Sequence, residues 1–367
     1  MTKDNEKKLV ILTAGGTGGH IYPADALACE LIKRGYQVVL FTDERGLNNY
    51  KGKLGEIENK AILSGGVVGK SLFAIVKSLT KVSFGVIQAF IELCKRRPVC
   101  VVGFGGYASF PTAIASVLQG VPLIVHEQNS VMSRTNRILA RFSSLVAQSF
   151  RNVKNTPSNV KSILSGMPVR EAISQLYEKK YTPTDEKEKF NLIIIGGSQG
   201  AKVFAETIPE AVALLSKDEQ KKLIVWQQCR KGEETLVEEK YKGIASKVTV
   251  KSFFDNMPEL YAKASLIVSR SGASSVYEIA AAGVPSILIP LPTSADNHQY
   301  FNAVEFADGG GGLVIEQKDF NAKMLSKHLS EYIANPQKLE KMAEKIKKKA
   351  IVDAAKRLAD AIEKFVR

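Results

Sequence analysis

His20 is the first histidine of this 367-residue chain and stands in "LVILTAGGTGGHIYP", residues 9–23, where four glycines occupy five positions. An imidazole is largely neutral at pH 7 and can take a proton, and main chain stripped of side chains lets a ligand come close. A second glycine turn, "IIIGGSQGAK" at 193–202, also stands between an apolar run and a helical pattern. The first turn of a helix carries unpaired N–H groups and the positive end of its dipole, so both turns suit a phosphate or diphosphate. A dinucleotide fingerprint is excluded because Gly16 and Gly18 are followed by Ile21, and neither turn fits the G-x-x-x-x-G-K-[ST] pattern of P-loop enzymes.

Further polar groups fall at the ends of predicted strands, where open α/β sheets bind ligands. "VVGFGGYASFP" at 101–111 carries Tyr107, and "VHEQNSVMSRTN" at 125–136 gathers His126, Glu127, Gln128 and Asn129. In "SRSGASSVYEIAAAG", 269–283, Glu278 is placed either to grip a ribose diol or to complement the helix dipole as a first-turn acid. "TSADNHQYFNA", 293–303, supplies Asp296, Asn297, His298, Gln299 and Asn302, a set suited to sugar hydroxyls.

The elements that must position these groups alternate. Short apolar runs at 9–13, 36–42, 99–103 and 121–125 are separated by helical spacing, and the rhythm restarts at "FNLIIIGGSQGA". The reading is α/β, with two Rossmann-like, doubly wound parallel-sheet domains facing a cleft. The expected boundaries are 1–165, 166–335 and a C-terminal helix over 336–367 that either finishes the second domain or packs back on the first. The length itself favours two domains.

Lys and Arg total 51 against 37 Asp and Glu, a net charge of +14 that attracts polyanions: nucleotides, anionic lipid or nucleic acid. No helix-turn-helix, zinc or RNA-binding signature accompanies it, so no nucleic-acid partner is expected. Four cysteines without CxxC spacing argue against a disulfide framework and for a reducing compartment. The charged start "MTKDNEKK" is unlike a secretory signal, and no window reaches a membrane span.

Seven motifs in order, "GGTGGHIYPADALA", "GFGGYASFP", "HEQN", "GMPVR", "GGSQGA", "RSGASSVYEIAAAG" and "DNHQYFNA", resemble the MurG family over residues 9–317. These are peripheral membrane glycosyltransferases that move N-acetylglucosamine from UDP to undecaprenyl-pyrophosphoryl-N-acetylmuramyl-pentapeptide, making lipid II. The resemblance implies a GT-B fold, inversion at the anomeric carbon, and UDP-N-acetylglucosamine held mainly by the C-terminal domain. It places Thr17, Gly18, Gly19, Asn129, Arg170 and Ser198 on the donor, and the main chain of Phe254 on uracil. It also lines the diphosphate and ribose with Ala273, Ser274, Ser275, Val276, Tyr277 and Glu278, and sets Gln299 on the sugar. His298 stands where some members carry a first glutamine, so Gln299 ranks above it.

Under that reading His20 is the first candidate for the base that takes the acceptor 4-hydroxyl proton, a loop-orienting role being its alternative. Glu127 is the second, as a carboxylate whose pKa a desolvated cleft can raise. Tyr107 and His126 are candidate acceptor contacts. No Asp-x-Asp occurs in the chain. No metal or cofactor is therefore expected, and activity is expected to survive chelation. Apolar residues and lysines alternate over 69–98, including Lys70, Lys77 and Lys81, as on a surface that docks on anionic lipid, or as on an ordinary amphipathic helix. The expected location is the cytoplasmic face of the inner membrane. The alternatives are another lipid glycosyltransferase of diacylglycerol glucosyltransferase type, a UDP-sugar epimerase of related fold, and a basic nucleic-acid-binding protein.

Overall fold

A computed structural model describes residues 7–49, 52–66, 72–182, 189–197 and 200–366. The chain divides into two units. The first is Met1–Arg170 with Ile351–Arg367, and the second is Glu171–Ala350.

The first unit is organised by a sheet of seven parallel strands: β1 (Leu9–Thr13), β2 (Gln37–Thr42), β3 (Asn59–Ala61), β4 (Cys100–Gly103), β5 (Leu123–Glu127), β6 (Leu145–Gln148) and β7 (Ser162–Leu164). Their order is β3-β2-β1-β4-β5-β6-β7. β1 is buried along its whole length, as a strand covered on both faces must be. Its side chains alternate between two cores. Val10 and Leu12 pack with Leu27, Leu31, Leu358 and Ile362 on one face, while Leu9 and Ile11 pack with Ala89, Leu93 and Ala113 on the other. In register, Val10 pairs with Val38 of β2 and with Cys100 of β4. Chain order reverses between β1 and β4, so the loops after these two strands meet at the switch point of the sheet.

The second unit repeats the plan with β8 (Phe190–Ile195), β9 (Leu223–Gln228), β10 (Lys247–Lys251), β11 (Leu266–Ser269), β12 (Ser286–Leu288) and β13 (Leu313–Val314). The order is β10-β9-β8-β11-β12-β13, all parallel, with its switch point between β8 and β11. Two Rossmann-like parallel sheets are what the alternating pattern anticipates. Strands β3, β6, β7 and β13 lie in segments whose pattern gave no strand.

The unit boundary falls at 170/171, not 165/166, and the expected single helix from 336 is two. Helix Pro336–Lys347 belongs to the second unit and buries Leu339, Met342 and Ile346. Helix Ala354–Val366 belongs to the first, where it packs on helix Gly18–Lys33. There Arg34 bonds Asp360 at 2.6 Å and the Lys356 carbonyl at 3.3 Å, and Leu358 and Ile362 are fully buried. Burial of side chains of this size contributes about 1.5–3 kcal/mol each, more than the partly exposed ion pair supplies.

Candidate active site

The His20 ring lies against the main chain of three glycines. Helix Gly18–Lys33 starts directly after the β1 loop, with Thr17 at the N-cap in an extended conformation. The Thr17 carbonyl accepts from the N–H groups of His20 at 2.9 Å and Ile21 at 3.1 Å, which puts His20 in the first turn. A Cβ on Gly15, Gly105 or Gly106 would stand 3.4, 3.6 or 3.5 Å from the imidazole, and one on Gly106 would also stand 3.4 Å from the Gly15 Cα. Gly105 and Gly106 both have φ of 78°, a left-handed backbone that other residues adopt only with strain. Two loops from neighbouring strands therefore close on one ring. Gly18 and Gly19 supply first-turn N–H groups of the kind a helix cannot pair internally.

Behind the loops is a buried polar scaffold. Glu127 is fully buried and accepts from the Asn129 N–H at 2.9 Å, the Ser133 N–H at 3.0 Å and Asn136 Nδ2 at 2.8 Å. Burial raises its pKa against the opposing pull of these donors. Both oxygens are engaged inside the unit, and the carboxylate ties down the 129–136 segment. Asn136 also donates to the His126 carbonyl at 3.2 Å and lies against Gly105. Gln128 Nε2 donates to the Phe104 carbonyl at 2.7 Å, anchoring the loop that reaches His20.

His126, the candidate acceptor contact, has no exposed surface. Its Nε2–H donates to the Gly166 carbonyl at 3.1 Å, and Nδ1 lies 3.3 Å from the Gln128 amide nitrogen, which donates to it. That neutral tautomer leaves no place for a second proton. Burial lowers its pKa to about 4, with the Gly166 bond acting the other way and His20 adding a small repulsion. Tyr107 is partly exposed and lies against Gly66. Asn129 is half-buried and bonded to Glu127. Arg170, the last residue of the first unit before the crossing to the second, lies with its guanidinium 4.8 Å from the centre of the Tyr22 ring.

In the second unit the candidates gather on loops after β10, β11 and β12. Ser198 lies outside the described residues. Phe254 is buried, edge-on to Trp226. Helix Ala273–Ala282 begins at the end of β11 with Gly272 at its N-cap. Ser274 Oγ is buried and has no hydrogen-bond partner among the described residues. Val276 and Tyr277 point into the core, Tyr277 edge-on to Phe306 with ring centres 4.8 Å apart, so only their main chain is left to serve a ligand. Glu278 is mostly buried and accepts from Tyr261 Oη at 3.1 Å.

Gln299 is oriented from both ends. Its side-chain oxygen accepts from the Leu291 N–H at 3.1 Å, and its main-chain carbonyl accepts from Ser271 Oγ at 2.8 Å. Its amide NH2 is thus the end suited to a ligand acceptor. Asn302, expected on sugar hydroxyls, is fully buried and instead donates to the Ser271 carbonyl at 3.1 Å. Arg270 serves the same turn, donating to the Ile289 and Pro290 carbonyls at 3.1 Å each and to Gln317 at 2.6 Å. Burial lowers its pKa to about 10.

Sequence reasoning missed Asn136 and Tyr22. Asn136 had a signal, a short amide in a helical segment just after the polar run. Tyr22 had only its place two residues beyond His20.

Two doubly wound parallel sheets, each with a glycine turn at its switch point, define a sugar-nucleotide enzyme of GT-B architecture. The chain belongs to glycosyltransferase family 28, its residues 10–148 matching the family's N-terminal domain and 191–358 its C-terminal domain. It is similar to the UDP-N-acetylglucosamine–N-acetylmuramyl-(pentapeptide) pyrophosphoryl-undecaprenol N-acetylglucosamine transferase of Rhodospirillum rubrum, at 41% identity over 96% of this chain and 91% of that protein. The enzyme of the same name from Bartonella tribocorum is 41% identical over 99% of this chain and 95% of its own. Among solved structures, MurG of Acinetobacter baumannii superposes with a TM-score of 0.77 at 29% identity, covering 97% of this chain and 99% of that one. A UDP-GlcNAc 2-epimerase from Neisseria meningitidis, TM-score 0.67 at 16% identity over 97% of this chain and all of its own, shares the fold.

The buried neutral His126 makes acid destabilising. Below about pH 6.5 the unfolded chain binds a proton there that the folded chain refuses, so stability falls as pH drops from about 6.5 toward 4, by up to roughly 3 kcal/mol. Urea unfolding at pH 7.5 and pH 5 is expected to show a smaller pH-dependent loss for His126→Gln than for the wild type.

Proposed function

We propose that this chain transfers N-acetylglucosamine from UDP-N-acetylglucosamine to the 4-hydroxyl of N-acetylmuramyl-(pentapeptide) pyrophosphoryl-undecaprenol, turning lipid I into lipid II. The observation that carries the reading is near full-length similarity to transferases of that name. None of these relatives favours a diacylglycerol glucosyltransferase or a nucleic-acid-binding protein.

The second unit holds the donor: the Phe254 main chain on uracil, Glu278 on the ribose with Tyr261 steadying it, Gln299 on the sugar. The diphosphate takes the N-terminus of helix Ala273–Ala282, where Ser274 and Ser275 add hydroxyls. The first unit contributes Thr17, Gly18, Gly19, Asn129 and Arg170 toward the donor and Tyr107 toward the acceptor. His20 accepts the 4-hydroxyl proton as that oxygen bonds to the anomeric carbon. The carbon–phosphate oxygen bond breaks on the opposite face, and UDP leaves with the electron pair. Main-chain dipoles, helix N-termini and Arg170 are fixed before the reaction and meet the charge that grows on UDP.

No helix among the described residues is long and apolar enough to cross a membrane. The proposed attachment is peripheral, on the cytoplasmic face of the inner membrane, through helix Leu72–Arg96. Val76, Leu79, Phe84 and Ile87 are each more than half exposed on it, beside the exposed Lys77 and Lys81. Lys70 lies outside the described residues. Apolar side chains among lysines suit an anionic lipid surface.

Replacing His20 by Ala is expected to cut acceptor-dependent UDP release by about 10²–10⁴-fold, the range for losing a general base, while UDP still binds. Full activity would remove His20 from that role. Charge reversal of Lys77 and Lys81 is expected to weaken sedimentation with vesicles containing phosphatidylglycerol; unchanged binding would count against this face.

A further inference from the structure

We infer that Tyr22 is the positioning residue for Arg170, tying that guanidinium to the glycine turn ahead of His20. The inference rests on the donor reading above. Tyr22 lies on the second turn of helix Gly18–Lys33, and its ring is wedged against the turn: a Cβ on Gly18 would stand 3.1 Å from Cε2. The guanidinium carbon of Arg170 is 4.8 Å from the centre of the same ring, a stacking distance for a cation on an aromatic face. Arg170 is thus one ring away from the first-turn N–H groups, although 148 residues separate it from Tyr22.

An arginine side chain has several rotatable bonds, and a charge meant for a diphosphate gains from being fixed before the ligand arrives. The ring supplies that restraint without neutralising the charge, since an aromatic face carries no counter-charge. Asp25, one turn further along the helix, also couples electrostatically to Arg170, but burial raises its pKa and its carboxylate accepts from the Leu54 N–H at 2.8 Å. It therefore also steadies the 52–54 segment. Gly18 has a second reason to lack a side chain: a methyl there would press on the ring that carries the arginine.

The test is a double-mutant cycle on the full chain with Tyr22→Met, which keeps apolar bulk against Gly18 but has no π-face, Tyr22→Phe, which keeps the face, and Arg170→Met. Turnover of UDP-N-acetylglucosamine is measured beside UDP affinity, read from the fluorescence of Trp226, the one tryptophan of the chain. Tyr22→Met is expected to lower kcat/KM about tenfold, within the range of cation–π coupling. Tyr22→Phe is expected to stay within about twofold of the wild type on the same scale. In the Arg170→Met background Tyr22→Met is expected to have no additional effect. Independent, multiplying losses would overturn the inference while leaving the donor role of Arg170 intact, as would a Tyr22→Phe enzyme as impaired as Tyr22→Met. Unchanged turnover and UDP affinity in Arg170→Met would overturn that donor role, and the inference with it. Thermal unfolding of each variant separates loss of fold from loss of aim.

Discussion

The candidate site of the first unit depends on one backbone constraint: Gly105 and Gly106 both hold φ of 78°, a left-handed conformation that other residues adopt only with strain. A Cβ on Gly15, Gly105 or Gly106 would already be in van der Waals contact with the ring, at 3.4–3.6 Å, so the loops after β1 and β4 pack directly on His20. The parallel sheet brings those loops side by side, because β1 and β4 are neighbours in the sheet and far apart in the chain. The glycines convert that adjacency into contact, and the left-handed backbone at 105 and 106 aims the second loop back at the first.

The polar residues around this contact divide by burial. His126, Glu127, Gln128 and Asn136 face inward: Gln128 bonds the loop after β4 that lies against His20, while the other three satisfy the Gly166 carbonyl, the N–H groups of Asn129 and Ser133, and the His126 carbonyl at the end of β5. A buried carboxylate with this many donors is costly to leave unpaired, which binds the 127–136 segment to a single conformation. The second unit follows the same logic with other residues: Arg270, Ser271 and Asn302 spend their hydrogen bonds on the turn that carries Gln299. In both units the side chains left to meet a ligand stand on a shell of others that cannot reach one.

Much of this was legible in the chain. Alternating apolar runs and glycine turns gave both parallel sheets; the glycines around His20 read as room for a ligand, whereas the packing of a second glycine loop from β4 on that ring was not legible. Short or half-buried strands escaped, since β3 and β13 lack a periodic apolar face long enough to read. The C-terminal segment misled for a physical reason. Ile346, Ala350, Ala354 and Leu358 keep a four-residue step across the break between its two helices, so helical spacing continues where the chain passes from one unit to the other. Roles were harder than places: His126, Glu127 and Asn302 have the side chains of ligand-binding residues, and only their burial shows that they serve the scaffold. Tyr22 was invisible because its partner, Arg170, is distant in sequence.

The most direct test of this account is the turnover of Gly106→Ala measured beside its thermal unfolding. An alanine there is strained by the φ of 78°, and relieving that strain moves a loop whose Cβ would stand 3.4 Å from the Gly15 Cα and 3.5 Å from His20. Turnover should fall about a hundredfold, the cost of misplacing a reacting group by about an ångström, while the unfolding midpoint drops by only a few degrees. An enzyme with wild-type turnover would show that the loops do not need to touch, and would contradict the account.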